Sequence, residues 1–192
     1  MTELNPENTA LIVIDMQNDF CHPDGALFAP PSEDAVEDIQ YLIDKANEVG
    51  VSEIIFTKDT HAEDQFENTN YYDEFSRWGE HVLEDSWGQE ILEELNPDEN
   101  ADLVLEKPTY SAFHETELDE WLTERDINNL VICGTLANVC VLHTASGAAL
   151  NDFRPIIVED AVGYLEEEDK EFAVEHAEWL FGESDTKENV FD

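Results

Sequence analysis

Basic residues are scarce in this chain, with 8 Lys and Arg against 48 Asp and Glu over 192 residues, a formal net charge of -40. That balance argues against nucleic acid as a partner, because a phosphate backbone is held mainly through Lys and Arg. Cysteine is scarce as well. Cys21, Cys133 and Cys140 are odd in number and lack the spacing of a disulfide framework, which points to a reducing cytosol. No run of 18 apolar residues is present to cross a membrane, and no basic-plus-apolar leader opens the chain, so a soluble cytoplasmic protein is expected. Repeats, linkers and low-complexity segments are missing too, and a single domain over 1–192 is expected.

What is present argues for a packed globule. The hydrophobic fraction is 42%, with 4 Trp, 5 Tyr and 10 Phe, enough apolar surface to offset the entropy of ordering the chain. Self-repulsion at -40 destabilises a compact state unless counterions screen it, and the Debye length falls to about 3 Å at 1 M salt. The chain is therefore expected to be halophilic, working in a very salty cytoplasm. An acidic partner-binding tail would gather its carboxylates at one end, whereas here they are spread along the sequence. Runs such as Glu166-Glu167-Glu168-Asp169 read as solvated faces, since they lack the glycine turn and alternating oxygen ligands of a calcium loop.

Five short apolar runs end at polar groups: Ala10 to Ile14 before Asp15, Ile54 to Thr57 before Lys58 and Asp59, and Leu103 to Leu105 before Glu106 and Lys107. Leu130 to Cys133 ends at Gly134, and Pro155 to Val158 at Glu159. Such runs predict strands buried on both faces. Helical spacing fills Ala35 to Val49, Glu117 to Arg125, Val139 to Leu150 and Lys170 to Leu180. Alternating strands and helices predict an α/β fold of three layers, a mainly parallel sheet between helices, with a site at the carboxyl ends of the strands. Asp15, Asp59, Lys107 and the loop from Gly134 to Cys140 would meet there. Residues 62–100 carry little strand pattern and read as an active-site cover insertion with a short helix near Gly88 to Leu95.

Cys140 follows a glycine-started turn from a buried strand into an apolar helix. By itself it would be read as a small core residue, but at that turn the helix dipole is expected to lower the thiol pKa, and exposed N–H groups can hold an oxyanion. Asp15 could accept the thiol proton, and Lys107, one of the 8 basic residues, could stabilise the negative charge that develops. Cys133 reads as a buried small hydrophobe and Cys21 as a bystander in the loop after Asp15. His143, one turn beyond Cys140, reads as helix packing.

Three segments in order carry a family resemblance: Asp15-Met16-Gln17-Asn18-Asp19-Phe20, Lys107-Pro108-Thr109-Tyr110-Ser111-Ala112-Phe113, and Gly134 to Val141. They resemble the motifs of the isochorismatase-like cysteine hydrolases, and the likeness runs from about residue 9 to residue 181. It implies Cys140 as nucleophile, Asp15 as general base and then acid, and Lys107 as their electrostatic partner. It also implies a cis peptide before Leu136 and an oxyanion hole from the backbone N–H groups of Leu136 and Cys140.

Asp59-Thr60-His61 and the later His81 resemble the metal site of the nicotinamidase and pyrazinamidase branch, with Asp59, His61 and His81 as ligands to zinc, iron or manganese. Glu63, Asp64 and Glu67 are unranked candidates for a further ligand. Phe20, Trp78 and Tyr110 match an aromatic cage for a flat ring, and each taken singly reads equally as packing. The resemblance implies hydrolysis of nicotinamide to nicotinate and ammonia in NAD salvage. A carbamoyl or ureido compound is the alternative substrate, and a noncatalytic metal-binding or interaction relative is the reading from another class. A homo-oligomer is an expectation carried from the family.

Overall fold

The structure is a computed structural model that describes residues 4–63 and 77–192. Its centre is a six-stranded sheet made of β1 (Thr9–Ile14), β2 (Glu53–Asp59), β3 (Leu103–Lys107), β4 (Asn129–Gly134), β5 (Arg154–Val162) and β6 (Glu183–Asp185). The spatial order is β3-β2-β1-β4-β5-β6, and each neighbouring pair runs parallel. The chain therefore builds outward from β1 on one side, then returns to build outward from β1 on the other. Between β1 and β4 the connections leave in opposite directions, which opens a crevice at the carboxyl edge of the sheet.

All six residues of β1 are buried, as the apolar run predicts for a strand covered on both faces. Its side chains alternate. Ala10, Ile12 and Ile14 enter one core with residues of α2 (Leu118–Glu124), α3 (Leu142–Leu150) and α4 (Glu167–Leu180). Leu11 and Val13 enter the other core with α1 (Val36–Val49). On α1 the buried residues are Ile39, Leu42, Ile43 and Ala46, an i, i+3, i+4, i+7 stripe, and the helix stops at Gly50 with φ 77° in the left-handed region. Each large apolar side chain buried on such a stripe contributes about 1.5–3 kcal/mol.

Several boundaries differ from the sequence pattern, each for a local reason. Helix α4 starts at Glu167 rather than Lys170, because Glu166 and Asp169 close a reciprocal capping box and the acidic first turn suits the positive end of the helix. Strand β6 went unpredicted because Glu183-Ser184-Asp185 has no apolar residue; backbone pairing with β5 makes it a strand. No helix spans 88–95. Two 3-10 turns, Trp87–Gln89 and Glu93–Leu95, flank an antiparallel bridge between Gln17 and Ile91, and the Leu92 N–H donates to the Met16 carbonyl at 2.8 Å. That pairing holds the backbone extended where the apolar spacing suggested a helix. Among the described residues, no helix is long and apolar enough to cross a membrane.

Candidate active site

Strand ends place the charged groups. Asp15 follows β1, Asp59 ends β2, Lys107 ends β3, and the register pairs Asp59 with Lys107 and Ile14 with Gly134. Gly134 has φ 111°, and a Cβ there would collide with the Ile14 backbone, so the turn after β4 requires glycine to close onto the Asp15 strand. Asp15 itself has φ 47°, a left-handed conformation uncommon outside glycine, which turns its carboxylate back over the sheet edge. Thr57 fixes that carboxylate: its hydroxyl donates to Asp15 Oδ1 at 2.6 Å and accepts the Asp15 N–H at 3.1 Å.

Lys107 is the hinge of the cluster. Its Nζ lies 2.7 Å from Asp15 Oδ2, 3.6 Å from Asp59 Oδ1 and 3.7 Å from Cys140 Sγ, and donates to the Thr109 carbonyl at 2.9 Å. Its side chain is 0% exposed. An ammonium there is tolerable because two carboxylates face it; left without them it would be driven to lose its proton. Burial works against the charged form of Lys107, but Asp15, Cys140 and Asp59 outweigh it and hold the lysine protonated.

The other groups shift in step. Burial pushes the Asp15 carboxyl upward, aided by the Asp59 charge and opposed by Lys107, which makes Asp15 a stronger proton acceptor than an exposed aspartate. For Asp59 burial also pushes up, but Lys107 and His61 prevail and bring it to about 2, so it stays ionised. Cys140 departs from expectation. The helix dipole was expected to lower its pKa, whereas burial lifts the thiol well above its ordinary value; Lys107 pulls it down, while Asp15 and Asp59 push it up. Lys107 Nζ bridges the two groups, 3.7 Å from Cys140 Sγ and 2.7 Å from Asp15 Oδ2, so thiol and carboxylate flank one ammonium.

Cys140 lies in a π-helical turn, Ala137–Val141, ahead of α3. The Leu136 carbonyl accepts N–H groups from Val139 and Val141 and passes over that of Cys140 between them. The peptide bond from Thr135 to Leu136 is cis, as the resemblance implies.

A second group sits beside the first. The donor atoms of Asp59, His61 and His81 lie within 4.8 Å of one another, and all three residues are buried. His81 Nδ1 faces the Gly79 carbonyl at 2.8 Å; a carbonyl can only accept, so Nδ1 carries the proton and Nε2 the lone pair. Burial lowers the His81 pKa, which favours the neutral ring that a metal needs. One carboxylate and two imidazoles of this spacing fit a divalent ion of the zinc, iron or manganese type. Of the candidates for another ligand, Glu63 is exposed, and Asp64 and Glu67 lie outside the described residues.

Both groups open on one cavity of about 250 Å³, where Cys140, Asp59 and His81 form part of the lining. Phe20, Trp78 and Tyr110 line it together, as do Leu136 and five apolar residues that sequence reasoning missed, Ala26, Leu27, Phe28, Val139 and Leu165. Gln17 was also missed. Its amide accepts the Asp59 N–H at 2.8 Å and donates to the Asp59 carbonyl at 2.8 Å, clamping that ligand by its backbone. Its place two residues after Asp15 was the available signal, within a segment already singled out.

The match to known proteins covers both the fold and the motifs. The isochorismatase domain model matches residues 9–188. A ureidoacrylate amidohydrolase of Acinetobacter baylyi is 31% identical over 179 residues, covering 83% of this chain and 72% of its own length. A cysteine hydrolase from Pseudomonas syringae pv. phaseolicola superposes with a TM-score of 0.88 at 28% identity, over 100% of this chain and 94% of that one. A pyrazinamidase of Pyrococcus horikoshii, solved in complex with zinc, gives 0.82 at 28% identity, over 93% and 99%. With the family model spanning residues 9–188 and the fold superposing over the whole chain at a TM-score of 0.88, this protein belongs to the isochorismatase family of hydrolases.

Proposed function

We propose that this protein is a cysteine-dependent amidohydrolase that converts nicotinamide to nicotinate and ammonia, in NAD salvage within a salty cytoplasm. The observation that carries the reading is the opening of Cys140 and of the Asp59 and His81 donors onto one aromatic and aliphatic cavity. A flat, uncharged ring suits such walls, with its amide directed at sulfur and its ring nitrogen toward the donor set. A divalent ion held by Asp59, His61 and His81 would supply a Lewis-acid anchor for that nitrogen or for a water.

The chain's own groups account for the chemistry. Asp15 takes the Cys140 proton as sulfur bonds to the amide carbon, and the carbonyl electron pair moves onto oxygen. Backbone N–H groups of Leu136 and Cys140 receive that oxyanion, and Lys107 keeps the proton-transfer pair oriented. As the C–N bond breaks, Asp15 returns the proton to nitrogen and ammonia leaves, with the acyl group held as a thioester. Asp15 then deprotonates a water that attacks the thioester, and the acid departs as the thiol is restored.

The ureidoacrylate relative supports a second reading, a ureido or carbamoyl substrate. Such an acrylate carries a carboxylate and calls for a cation. Lys107 is engaged with two carboxylates and Lys58 with Glu106 at 3.3 Å, and positions 64–76 hold no Lys or Arg. No Lys or Arg is among the described residues that line the cavity, and the exposed Arg77 precedes the lining residue Trp78 in the chain. A lining without a Lys or Arg among the described residues favours the uncharged substrate.

Ammonia release from nicotinamide in multimolar KCl tests the proposal, with and without a chelator and with Cys140→Ala as control. Turnover that the chelator suppresses and the variant lacks is expected. Folded, metal-loaded protein that turns over ureidoacrylate but not nicotinamide, and loses that activity in Arg77→Ala, would transfer the assignment to the second reading.

A further inference from the structure

Asp19 has no part in the chemistry above, yet both of its carboxylate oxygens are engaged in a buried position. Oδ2 accepts the Val82 N–H at 2.7 Å, and Oδ1 accepts the Ala26 N–H at 3.0 Å. Its own carbonyl accepts the Leu27 N–H at 2.9 Å. One residue thus joins three separate pieces of chain, its carboxylate reaching Ala26 and the residue after His81 and its backbone carbonyl reaching Leu27.

Val82 is the telling contact. It is fully buried with φ 40°, a conformation that a β-branched residue avoids unless its surroundings impose it. Two hydrogen bonds impose it here, the Asp19 carboxylate on its N–H and the His61 N–H on its carbonyl at 3.1 Å. The turn made at Val82 is what sends the preceding residue, His81, back toward Asp59 and His61. Gly88 closes the arrangement from the far side, because a Cβ there would land on the Asp19 carboxylate.

We propose that Asp19 is a positioning residue for the metal site, holding His81 in ligand geometry through the Val82 backbone and tying that site to the cavity wall at Ala26 and Leu27. The proposal rests on Asp59, His61 and His81 being metal ligands. A carboxylate is required because both oxygens accept; an amide has one acceptor oxygen, and its NH₂ would face the other N–H donor.

The test is zinc affinity of the full-length protein in high KCl, read by equilibrium competition with a chromophoric chelator and by the rise in Tm on adding zinc. Outer groups that orient metal ligands typically change affinity by about 10–100-fold when removed. Asp19→Asn is expected to weaken zinc binding by about tenfold or more and to shrink the zinc-induced rise in Tm. Gly88→Ala, which pushes on the same carboxylate, should do likewise, and the double variant should lose little beyond Asp19→Asn alone. That non-additivity is what a general loss of stability would not produce. If Asp19→Asn does not fold, the Gly88→Ala affinity decides. Wild-type protein that binds zinc tightly while the folded variants bind it equally well overturns the positioning role alone. Wild-type protein that binds no zinc overturns the ligand assignment and this role with it.

Discussion

Lys107 and Lys187 make the same kind of contact in opposite surroundings. Lys107 lies 2.7 Å from Asp15 and 3.6 Å from Asp59, and Lys187 lies 2.7 Å from Asp38 and 3.8 Å from Asp160. The side chain of Lys107 is 0% exposed, that of Lys187 21%. At the outer site water and salt screen the charges, so Lys187 is a local tether to Asp38 on α1 and Asp160 on β5. At the inner site no solvent intervenes, so each charge sets the protonation of its neighbours. Burial, and not ion-pair distance, separates the proposed catalytic cluster from the acidic surface around it.

Salt should separate the two regions most strongly. Among the described residues the buried Asp, Glu, Lys and Arg are Asp15, Asp19, Asp59 and Lys107, in a chain of net charge -40, and lowering KCl from multimolar to tens of millimolar stretches the Debye length from about 3 Å or less to beyond 10 Å. Self-repulsion then adds up over many carboxylates, and the protein is expected to lose its folded state, which circular dichroism across a KCl series would show. Cooperative, unchanged unfolding at low salt would refute the halophilic assignment. Next in size is Lys107→Met, which leaves two buried carboxylates without their cation. A loss of about 3–5 kcal/mol in denaturant unfolding and loss of amide turnover are expected. The penalty should be nearly the same at all salt concentrations that keep the protein folded. A penalty that vanishes in high KCl would mean that the inner cluster is wet, and would break the comparison.

The inner region was more legible in the sequence than the outer one. Apolar runs that stop abruptly at Asp15, Asp59, Lys107 and Gly134 mark strands buried on both faces, and a parallel sheet brings their ends to one edge, so the sequence pattern alone groups the charged residues. His81 was reachable through resemblance to a known metal site, since no strand pattern leads to it. The supports of these groups were not legible. Thr57 meets Asp15 and Gln17 meets Asp59 across 42 residues, and Asp19 meets Val82 across 63, contacts that no local period encodes. The thiol shift was misjudged for a related reason: a helix dipole is visible in a sequence pattern, whereas the depth of burial that outweighs it at Cys140 is not. On the surface, β6 has no apolar signal at all, and backbone pairing alone defines it.

The smallest expected effects lie at that edge strand and its neighbour tether. Lys187→Ala should cost about 0–1 kcal/mol, less at higher salt, in contrast to the salt-independent penalty at Lys107. Glu183 on β6 accepts two hydrogen bonds from Arg154 on β5, at 2.6 and 2.7 Å, and these contacts hold its carboxyl below the ordinary value. A carboxyl lowered by folding contributes stability that is fully present above its unfolded pKa and is lost as pH falls through the folded one. The wild-type advantage over Glu183→Gln should therefore be present at neutral pH and shrink through the acidic carboxylate range. The Glu183 side chain is 39% exposed, so screening limits the difference to under about 1 kcal/mol. Paired unfolding curves at neutral and acidic pH would measure it, and an advantage that grows on acidification would show that the fork with Arg154 does not form in solution.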